Sequence, residues 1–209
     1  MSARQTDHVA ASQREYGDAY PTLPFVSPAG AAAAARRRAD LLAGLAAHAQ
    51  LGCRGTKLDC RNLSPGCRAC VAGTWSCLFV NGQCNCRCFY CPTPQDDTGV
   101  PQTLTFAAAA DYAEYVERFG YTGVSMSGGE PLLTLDRCLS HLAAVRRRGG
   151  DRLHTWLYTN GALLTADIVG RLVDVGLDEI RFDIGARALD LSRIPLAAGR
   201  LPVVTVEIP

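Results

Sequence analysis

The sequence lacks any apolar run that approaches the roughly 20 residues needed to span a bilayer, so we predict no membrane association. Neither sign of charge dominates, because 21 Lys and Arg residues are matched by 20 Asp and Glu residues and leave a formal net charge of +1. Such a balance gives no indication of a nucleic-acid partner. Residues 1–21 are polar and lack the apolar core of a signal peptide, so we expect a cytoplasmic protein.

Cysteine is almost absent outside one short stretch of the chain. Nine of the ten cysteines lie between Cys53 and Cys91, and Cys138 is the remaining one. In a secreted chain this density would indicate disulfides, whereas a reducing compartment keeps thiols free. We therefore favour metal or cluster ligation over disulfide bonds as the role of the nine.

The first 50 residues show no pattern that indicates a site. We divide residues 1–50 into a polar, loosely ordered lead-in over 1–28 and a helix over 29–50, whose Ala, Leu and Arg residues favour that conformation. We expect this helix to turn one face inward through three leucines: Leu41, Leu42 and Leu45.

Residues 51–77 are rich in cysteine and show little periodicity, so we interpret them as a loop region organised by metal. Residues 74–209 form the predicted core. In the core, apolar runs alternate with helical patterns, which predicts βαβ units and a parallel sheet that curls into a barrel or an open wound sheet. The chain stops at Pro209 directly after the fifth predicted strand, so we expect a further strand–helix unit to be missing. The predicted strands are 74–80, 121–127, 153–159, 178–184 and 202–208, with helices that begin at Thr105, Thr134 and Thr165.

Three cysteines in the segment NGQCNCRCFYC carry the most specific chemical pattern. Cys84, Cys88 and Cys91 are spaced C-x₃-C-x₂-C directly after the first predicted strand of the core. A [4Fe–4S] cluster usually takes four thiolates, so a loop that offers three leaves one iron open. An open iron can bind a small molecule and pass it an electron, which indicates a reaction centre rather than a structural staple.

Polar features follow the other predicted strands of the core, most of them at the same edge as the cysteines. Active sites of parallel α/β folds gather at the carboxyl ends of the strands, so we expect one shared site. A Gly-Gly pair allows close backbone approach to a ligand, and the carboxylate of Glu130 beside it suits an ammonium group. The candidate residues are Ser127, Gly128, Gly129 and Glu130 after the second strand, Asn160 after the third, Asp183 on the fourth and Glu207 on the fifth.

These motifs in this order resemble the radical S-adenosylmethionine (radical SAM) superfamily over about residues 74–209. Members share C-x₃-C-x-aromatic-C after the first strand, where Tyr90 is the aromatic here, and a Gly-Gly-Glu segment after the second, matched by Ser127–Glu130. The resemblance implies a partial (β/α)₆ TIM-like barrel, incomplete at its C-terminus.

The resemblance also implies a reaction and its cofactors. Cys84, Cys88 and Cys91 would hold a [4Fe–4S] cluster, and the open iron would bind the amino and carboxylate groups of SAM. Reductive cleavage of SAM would give a 5′-deoxyadenosyl radical that abstracts a hydrogen atom from a substrate that the sequence does not identify. An external donor such as flavodoxin or ferredoxin would supply the electron.

The same resemblance suggests roles for the other candidate residues. Gly128, Gly129 and Glu130 would hold the methionine ammonium, and Tyr90 would lie near the adenine. The remaining candidates would contact the ribose, the carboxylate or the substrate: Asn160, Asp183 and Glu207.

Cys86 adds a fourth thiol inside the cluster loop. C-x-C-x-C spacing does not suit three corners of one cube, so we interpret Cys86 as a bystander rather than a competing ligand.

A second group of cysteines has the symmetrical spacing C-x₆-C-x₂-C-x₆-C. Cys60, Cys67, Cys70 and Cys77 offer four thiolates, which suit either a second [4Fe–4S] cluster or a Cys₄ zinc site. We favour iron–sulfur, with Cys53 as a spare ligand.

The strand between Cys77 and Cys84 should separate the two groups by roughly 20 Å at about 3.3 Å per residue. The second centre would then lie near the opposite end of the barrel and serve structure or electron relay.

A different class of protein also fits the cysteines. A non-catalytic, cysteine-rich iron–sulfur or zinc module for binding or electron transfer predicts no SAM binding.

Overall fold

The structure is a computed structural model, and it describes residues 3–46, 48–52, 57–59, 62–91 and 106–208. Two of the residues interpreted above as thiol ligands or spare ligands, Cys53 and Cys60, lie outside the described residues. No helix among the residues covered here is long and apolar enough to cross a membrane.

The chain divides into two compact units, residues 1–62 and residues 63–209. The first unit contains α1 (Ala3–Tyr16), a 3₁₀ helix, α2 (Pro28–Ala46) and an antiparallel pair of short strands. The 3₁₀ helix is Gly17–Thr22, and the strands are β1 (Gln50–Gly52) and β2 (Lys57–Asp59).

Two expectations for the first unit are wrong. The lead-in over 1–28 is mostly helical rather than loosely ordered. The three leucines of α2 do not point inward, because Leu41, Leu42 and Leu45 are 60%, 44% and 39% exposed. No residue of α2 is buried. The intrinsic preference of Ala, Leu and Arg for helix accounts for α2 without burial of an apolar face.

The second unit is built on five parallel strands that lie side by side in sequence order. Helices connect successive strands, and this is the arrangement of a partial (β/α) barrel, so the predicted α/β class is confirmed. Each predicted strand forms within two residues of its expected bounds. The strands are β3 (Trp75–Asn81), β4 (Gly123–Gly128), β5 (His154–Thr159), β6 (Glu179–Asp183) and β7 (Val203–Glu207).

Four helices follow the strands and cover the outer face of the sheet. Apolar side chains of the strands and helices share one buried cluster that includes Val80, Val124, Leu142 and Leu172. Thr165 begins one helix by accepting a hydrogen bond from the Ile168 N–H. The helices are α4 (Ala109–Arg118), α5 (Leu135–Gly149), α6 (Ala166–Asp174) and α7 (Ile194–Ala197).

Alternation along β3 separates the core from the inner face of the sheet. Leu78 and Val80 are buried in the apolar cluster, whereas Trp75, Cys77 and Phe79 line an open cleft on the other side. Because successive side chains of a strand point to opposite faces, this pattern fixes which residues of β3 reach the site.

A short helix, α3 (Pro65–Ala72), forms within the segment that we expected to be a loop. Ser64 caps its start by accepting a hydrogen bond from the Cys67 N–H, and Gly73 ends it at a φ of 70°. Ser followed by Pro at the start and Gly after the end is a recognisable helix signature. Reading the segment for cysteines alone caused this signal to be missed.

The α3 helix packs against the inner face of the sheet near the amino ends of the strands. The Gly66 N–H donates a hydrogen bond of 3.1 Å to the Glu179 carboxylate, and Arg181 pairs with the same carboxylate at 2.7 Å. Burial opposes ionisation of Glu179, but the hydrogen bond from His154 and the charge of Arg181 lower its pKa to about 2. A buried ion pair therefore closes the end of the barrel opposite the cleft mouth.

Replacing Gly66 with alanine should lower the free energy of unfolding by about 1–3 kcal/mol, a usual cost of overpacking. A Cβ at this position would lie 2.5 Å from the Arg181 guanidinium, 2.9 Å from the Glu179 carboxylate and 3.1 Å from Trp156. Denaturant unfolding of the metal-free chain measures the effect. Gly170→Ala in α6 is the matched control, because its nearest contact is the flexible Arg200 at 3.5 Å. Equal stabilities for the two variants would contradict this account of α3.

Candidate active site

An open cleft of about 480 Å³ lies at the carboxyl ends of the strands and extends down their inner face. The loop after β3 forms one wall, and the ends of β4, β5, β6 and β7 form the others. All predicted site residues of the core line this cleft: Cys84, Cys88, Cys91, Tyr90, Ser127, Gly128, Gly129, Glu130, Asn160, Asp183 and Glu207.

We define the cysteine loop as residues 82–91, which follow β3 directly. Within it the Cys91 N–H donates to the Cys88 carbonyl at 3.1 Å, and the Cys86 N–H donates to the Cys84 sulfur at 3.4 Å. Burial raises the pKa of the Cys84 thiol, the hydrogen bond from the Cys86 N–H opposes the rise, and the nearby Glu130 carboxylate adds to it. The three motif thiols belong to one short loop that lines the cleft.

The Gly-Gly pair forms a close junction with the cysteine loop. The Gly129 N–H donates to the Asn81 carbonyl at 3.0 Å, and the Glu130 N–H donates to the Gln83 carbonyl at 2.7 Å. Gly128 has a φ of 121°, and a Cβ there would overlap the Asn81 carbonyl oxygen. Only glycine combines this conformation with so close a backbone approach.

The Glu130 carboxylate is buried and accepts three hydrogen bonds from the protein. One oxygen accepts from the Leu132 N–H at 3.1 Å and from the Thr159 hydroxyl at 2.8 Å, and the other accepts from the Asn160 N–H at 2.8 Å. Burial raises its pKa, and these three bonds oppose the rise. The carboxylate thus ties the end of β4 to the end of β5, and the direct ammonium contact expected from sequence stays a prediction.

Replacing Glu130 with alanine should lower the free energy of unfolding by about 2–4 kcal/mol, since three buried donors lose their acceptor. Glu130→Gln should cost less, because its amide oxygen can still accept from Leu132 and Thr159 while its NH₂ group opposes the Asn160 N–H. Thermal and denaturant unfolding should rank wild type as the most stable, Glu130→Gln as intermediate and Glu130→Ala as the least stable. A Gln variant as unstable as the Ala variant would contradict the assigned hydrogen bonds.

The cysteine loop makes side-chain contacts with two strand ends. Tyr90 belongs to the loop, and Asn160 and Asp183 contact it. The Asn160 side-chain amide donates to the Asn85 side-chain oxygen at 2.7 Å, and the Tyr90 hydroxyl donates to the Asp183 carboxylate at 2.9 Å. Loss of solvent around it and hydrogen bonds with Cys88 and Asp183 raise the pKa of Tyr90, so the hydroxyl keeps its proton. Two of the predicted strand-end residues, Asn160 and Asp183, therefore hold the same loop.

Asn81 is a part of this site that sequence reasoning did not single out. Its side-chain NH₂ donates to the Glu130 carbonyl at 3.0 Å and to the Thr134 hydroxyl at 2.7 Å, while its oxygen accepts from the Gln83 N–H. An Asn directly before a Gly at the end of an apolar strand was the available signal, since Asn side chains commonly bond to nearby backbone.

Cys77 lies on the inner face of β3, near the amino end of the strand. It lines the same cleft as Cys84, because the cleft continues down that face. Burial raises its pKa, while hydrogen bonds with Ser125 and Ser127 oppose the rise. The separation of roughly 20 Å from Cys84 and the location of the second centre near the opposite end of the barrel stay predictions.

The described members of the second cysteine group lie on different elements. Cys67 and Cys70 belong to α3, and Cys77 belongs to β3. Among the residues that the structure describes, no three His, Cys, Asp or Glu side chains are arranged to hold a single metal ion. The choice between a second cluster and zinc therefore stays a prediction.

The residues of the cysteine loop fit a [4Fe–4S] cluster by their chemistry. A cube differs from a single ion because each thiolate binds a different iron, so the thiols need not converge on one point. Cys84, Cys88 and Cys91 are not joined in disulfides, and all three line one cleft. The backbone of Gly128 and Gly129 lines the same cleft without side chains to fill it.

A family model described as the radical SAM superfamily matches residues 78–187, more than half of the chain. The matched segment includes the cysteine loop and the Gly-Gly-Glu turn. The chain therefore belongs to the radical SAM superfamily.

Curated relatives share a segment of similar length with this chain. A protein of Methanocaldococcus jannaschii, named as a glycyl-radical enzyme activating enzyme, is 31% identical over 123 residues, which are 57% of this chain and 32% of that protein. A GTP 3′,8-cyclase of Corynebacterium glutamicum is 34% identical over 112 residues, 51% of this chain and 29% of the relative. The chain thus spans about a third of the length of such relatives.

Among solved structures, BtrN in complex with AdoMet and 2-DOIA is similar with a TM-score of 0.47 and 21% identity. The similarity covers 64% of this chain and 56% of that one. A structure of anSMEcpe with bound AdoMet gives a TM-score of 0.48 and 15% identity, over 63% of this chain and 42% of that one.

Proposed function

We propose that this protein cleaves S-adenosylmethionine reductively and uses the 5′-deoxyadenosyl radical to abstract a hydrogen atom from a substrate. The observation that carries the proposal is the convergence of three motif thiols and the Gly128–Gly129 backbone on one cleft, in a chain of the radical SAM superfamily.

Cys84, Cys88 and Cys91 would hold the [4Fe–4S] cluster through their thiolates. When bound, the cluster supplies the electron for cleavage of the S–C5′ bond of SAM. The protein supplies position: Gly128 and Gly129 leave space for the amino acid part of SAM beside the cysteine loop. The Glu130 carboxylate supports this arrangement by holding the ends of β4 and β5 together.

The walls of the cleft also carry apolar and aromatic side chains that suit an organic substrate: Trp75, Phe79, Tyr158 and Ile208. Phe79 and Ile208 are exposed to solvent as well, so the cleft is open on that side. Cys77 and Glu207 add one thiol and one carboxylate to the same walls.

The electron would come from a separate protein such as a flavodoxin or a ferredoxin. The named relatives differ in reaction, since one name describes activation of a glycyl-radical enzyme and another describes cyclisation of GTP. The proposal is therefore limited to the radical step that such reactions have in common.

Anaerobic reconstitution with iron and sulfide, followed by SAM and dithionite, tests the proposal. We expect methionine and 5′-deoxyadenosine to form only when both SAM and the reductant are present, as measured by mass spectrometry. A cluster-loaded protein that binds SAM and yields no 5′-deoxyadenosine contradicts the proposed reaction. A cluster whose spectrum is indifferent to SAM points instead to a non-catalytic iron–sulfur module.

A further inference from the structure

Two hydrogen bonds between side chains connect the cysteine loop to strand ends that lie far away in the sequence. Asn85 in the loop accepts from Asn160 after β5 at 2.7 Å. Tyr90 in the loop donates to Asp183 at the end of β6 at 2.9 Å. The partners are 75 and 93 residues apart, so each bond fixes tertiary structure.

We propose that Asn85–Asn160 and Tyr90–Asp183 form a two-point clamp that sets the position of the cysteine loop over the cleft. Asn160 and Asp183 are then positioning residues that act through the loop, whereas the sequence suggested that they contact SAM or substrate directly. The inference rests on the proposed function only in its consequence for SAM affinity.

The side-chain oxygen, the side-chain NH₂ group and the backbone N–H of Asn160 each have a partner within the protein. Its side-chain oxygen accepts from the Ala162 N–H at 2.9 Å, its backbone N–H donates to Glu130, and its NH₂ group donates to Asn85. An amide oxygen has two lone pairs and an NH₂ group has two hydrogens, so one lone pair and one N–H of the Asn160 side chain remain for a ligand.

One oxygen of the Asp183 carboxylate already has two partners. The same carboxylate oxygen that accepts from Tyr90 also accepts from the Ala186 N–H at 3.3 Å. Tyr90 lies two residues after Cys88 and directly before Cys91. The contact with Asp183 therefore joins the end of β6 to the part of the loop that carries two of the three motif thiols.

The clamp complements the backbone junction at the start of the loop. Gly129 and Glu130 hold Asn81 and Gln83 at the strand end, while the clamp holds the loop at Asn85 and Tyr90. Fixing a loop at both ends restricts where its thiols stand relative to the Gly-Gly backbone, because few backbone conformations satisfy both sets of contacts.

Four variants separate a clamp from a direct ligand contact: Tyr90→Phe, Asp183→Ala, the double variant of these two, and Asp183→Asn. Tyr90→Phe keeps the ring and removes only the hydroxyl. Asp183→Asn removes the charge and keeps an oxygen that accepts from Tyr90. Tyr121→Phe is the matched control, since its hydroxyl bonds to Tyr115 at 3.3 Å outside the cleft.

The first measurement is amide hydrogen exchange of residues 82–91 in the cluster-loaded, oxidised protein without SAM. Tyr90→Phe and Asp183→Ala should each speed exchange by roughly five- to tenfold, the range expected for one lost hydrogen bond. The double variant should exchange no faster than the faster single variant, and Asp183→Asn and Tyr121→Phe should stay within about twofold of wild type. An exchange rate that is unchanged in Tyr90→Phe overturns the clamp. So does a double variant whose acceleration equals the product of the two single accelerations.

The second measurement is a SAM titration followed by the spectrum of the cluster. The clamp predicts that Tyr90→Phe and Asp183→Ala weaken SAM binding by the same factor and that Asp183→Asn does not. Loss of affinity in Asp183→Asn with normal affinity in Tyr90→Phe shows a direct contact of the charge and overturns the inference. Hydrogen exchange requires no SAM cleavage, so failure of the clamp and failure of the proposed reaction give different results.

Discussion

Replacing Cys88 with alanine should lower 5′-deoxyadenosine formation by more than about 100-fold. Loss of a residue that only hydrogen-bonds to a metal ligand already costs roughly 10–100-fold, and loss of a ligand should cost more. Cys88 is one of only three motif thiols that line the cleft beside Gly128 and Gly129. With two thiolates left, the protein should bind less iron and lose the absorbance of the cluster.

Cys86→Ala is the matched control within the same loop. Cys86 also lines the cleft, and its backbone N–H, which the substitution leaves in place, donates to the Cys84 sulfur. We expect this variant to keep its iron content and most of its activity. Iron analysis, circular dichroism and product formation on both variants check the prediction. Equal losses in the two variants would contradict the assignment of Cys84, Cys88 and Cys91 as the ligand set.

Replacing Gly129 with alanine should have the second largest effect on SAM binding and product formation, because the new Cβ would collide with backbone rather than with a flexible side chain. It would overlap the carbonyl oxygen of Gln83 and lie within 2.8 Å of the Gln83 nitrogen. The start of the cysteine loop must then move away from β4, and the hydrogen bond from the Glu130 N–H to Gln83 must lengthen or break.

We expect Gly129→Ala to reduce the free energy of unfolding by about 1–3 kcal/mol, as overpacked sites usually do. SAM affinity and 5′-deoxyadenosine formation should fall at least tenfold, because small displacements of positioning groups cost large factors in rate. Denaturant unfolding, SAM titration and product analysis measure the three quantities, with Gly170→Ala as control. Wild-type affinity in Gly129→Ala would show that the junction does not shape the SAM site.

Sequence patterns predicted the architecture of the second unit well because each strand and helix carries a local signal. Short apolar runs marked β3 to β7, and Thr165 marked the start of α6. The sequence also predicted that the strand-end residues share one site, because parallel strands bring their carboxyl ends to one edge of the sheet.

The contacts within the site were not predictable, because they join residues distant in sequence. Nothing local indicates that Glu130 turns inward to Thr159 and Asn160, or that Tyr90 reaches Asp183. A carboxylate after Gly-Gly looks free in sequence, and its burial follows only from the register of β4 beside β5. That Cys77 lines the same cleft as Cys84 was not predicted for a related reason, since an extended length says nothing about how deep a cleft runs.

Spectroscopy of SAM labelled at its amino nitrogen and carboxylate oxygens, bound to the reduced cluster, tests the central claim most directly. The claim is that three thiolates leave one iron open and that the amino acid part of SAM occupies it. Electron–nuclear double resonance should detect strong hyperfine couplings from both labelled groups. A SAM-bound protein in which neither label couples to the cluster would contradict the account.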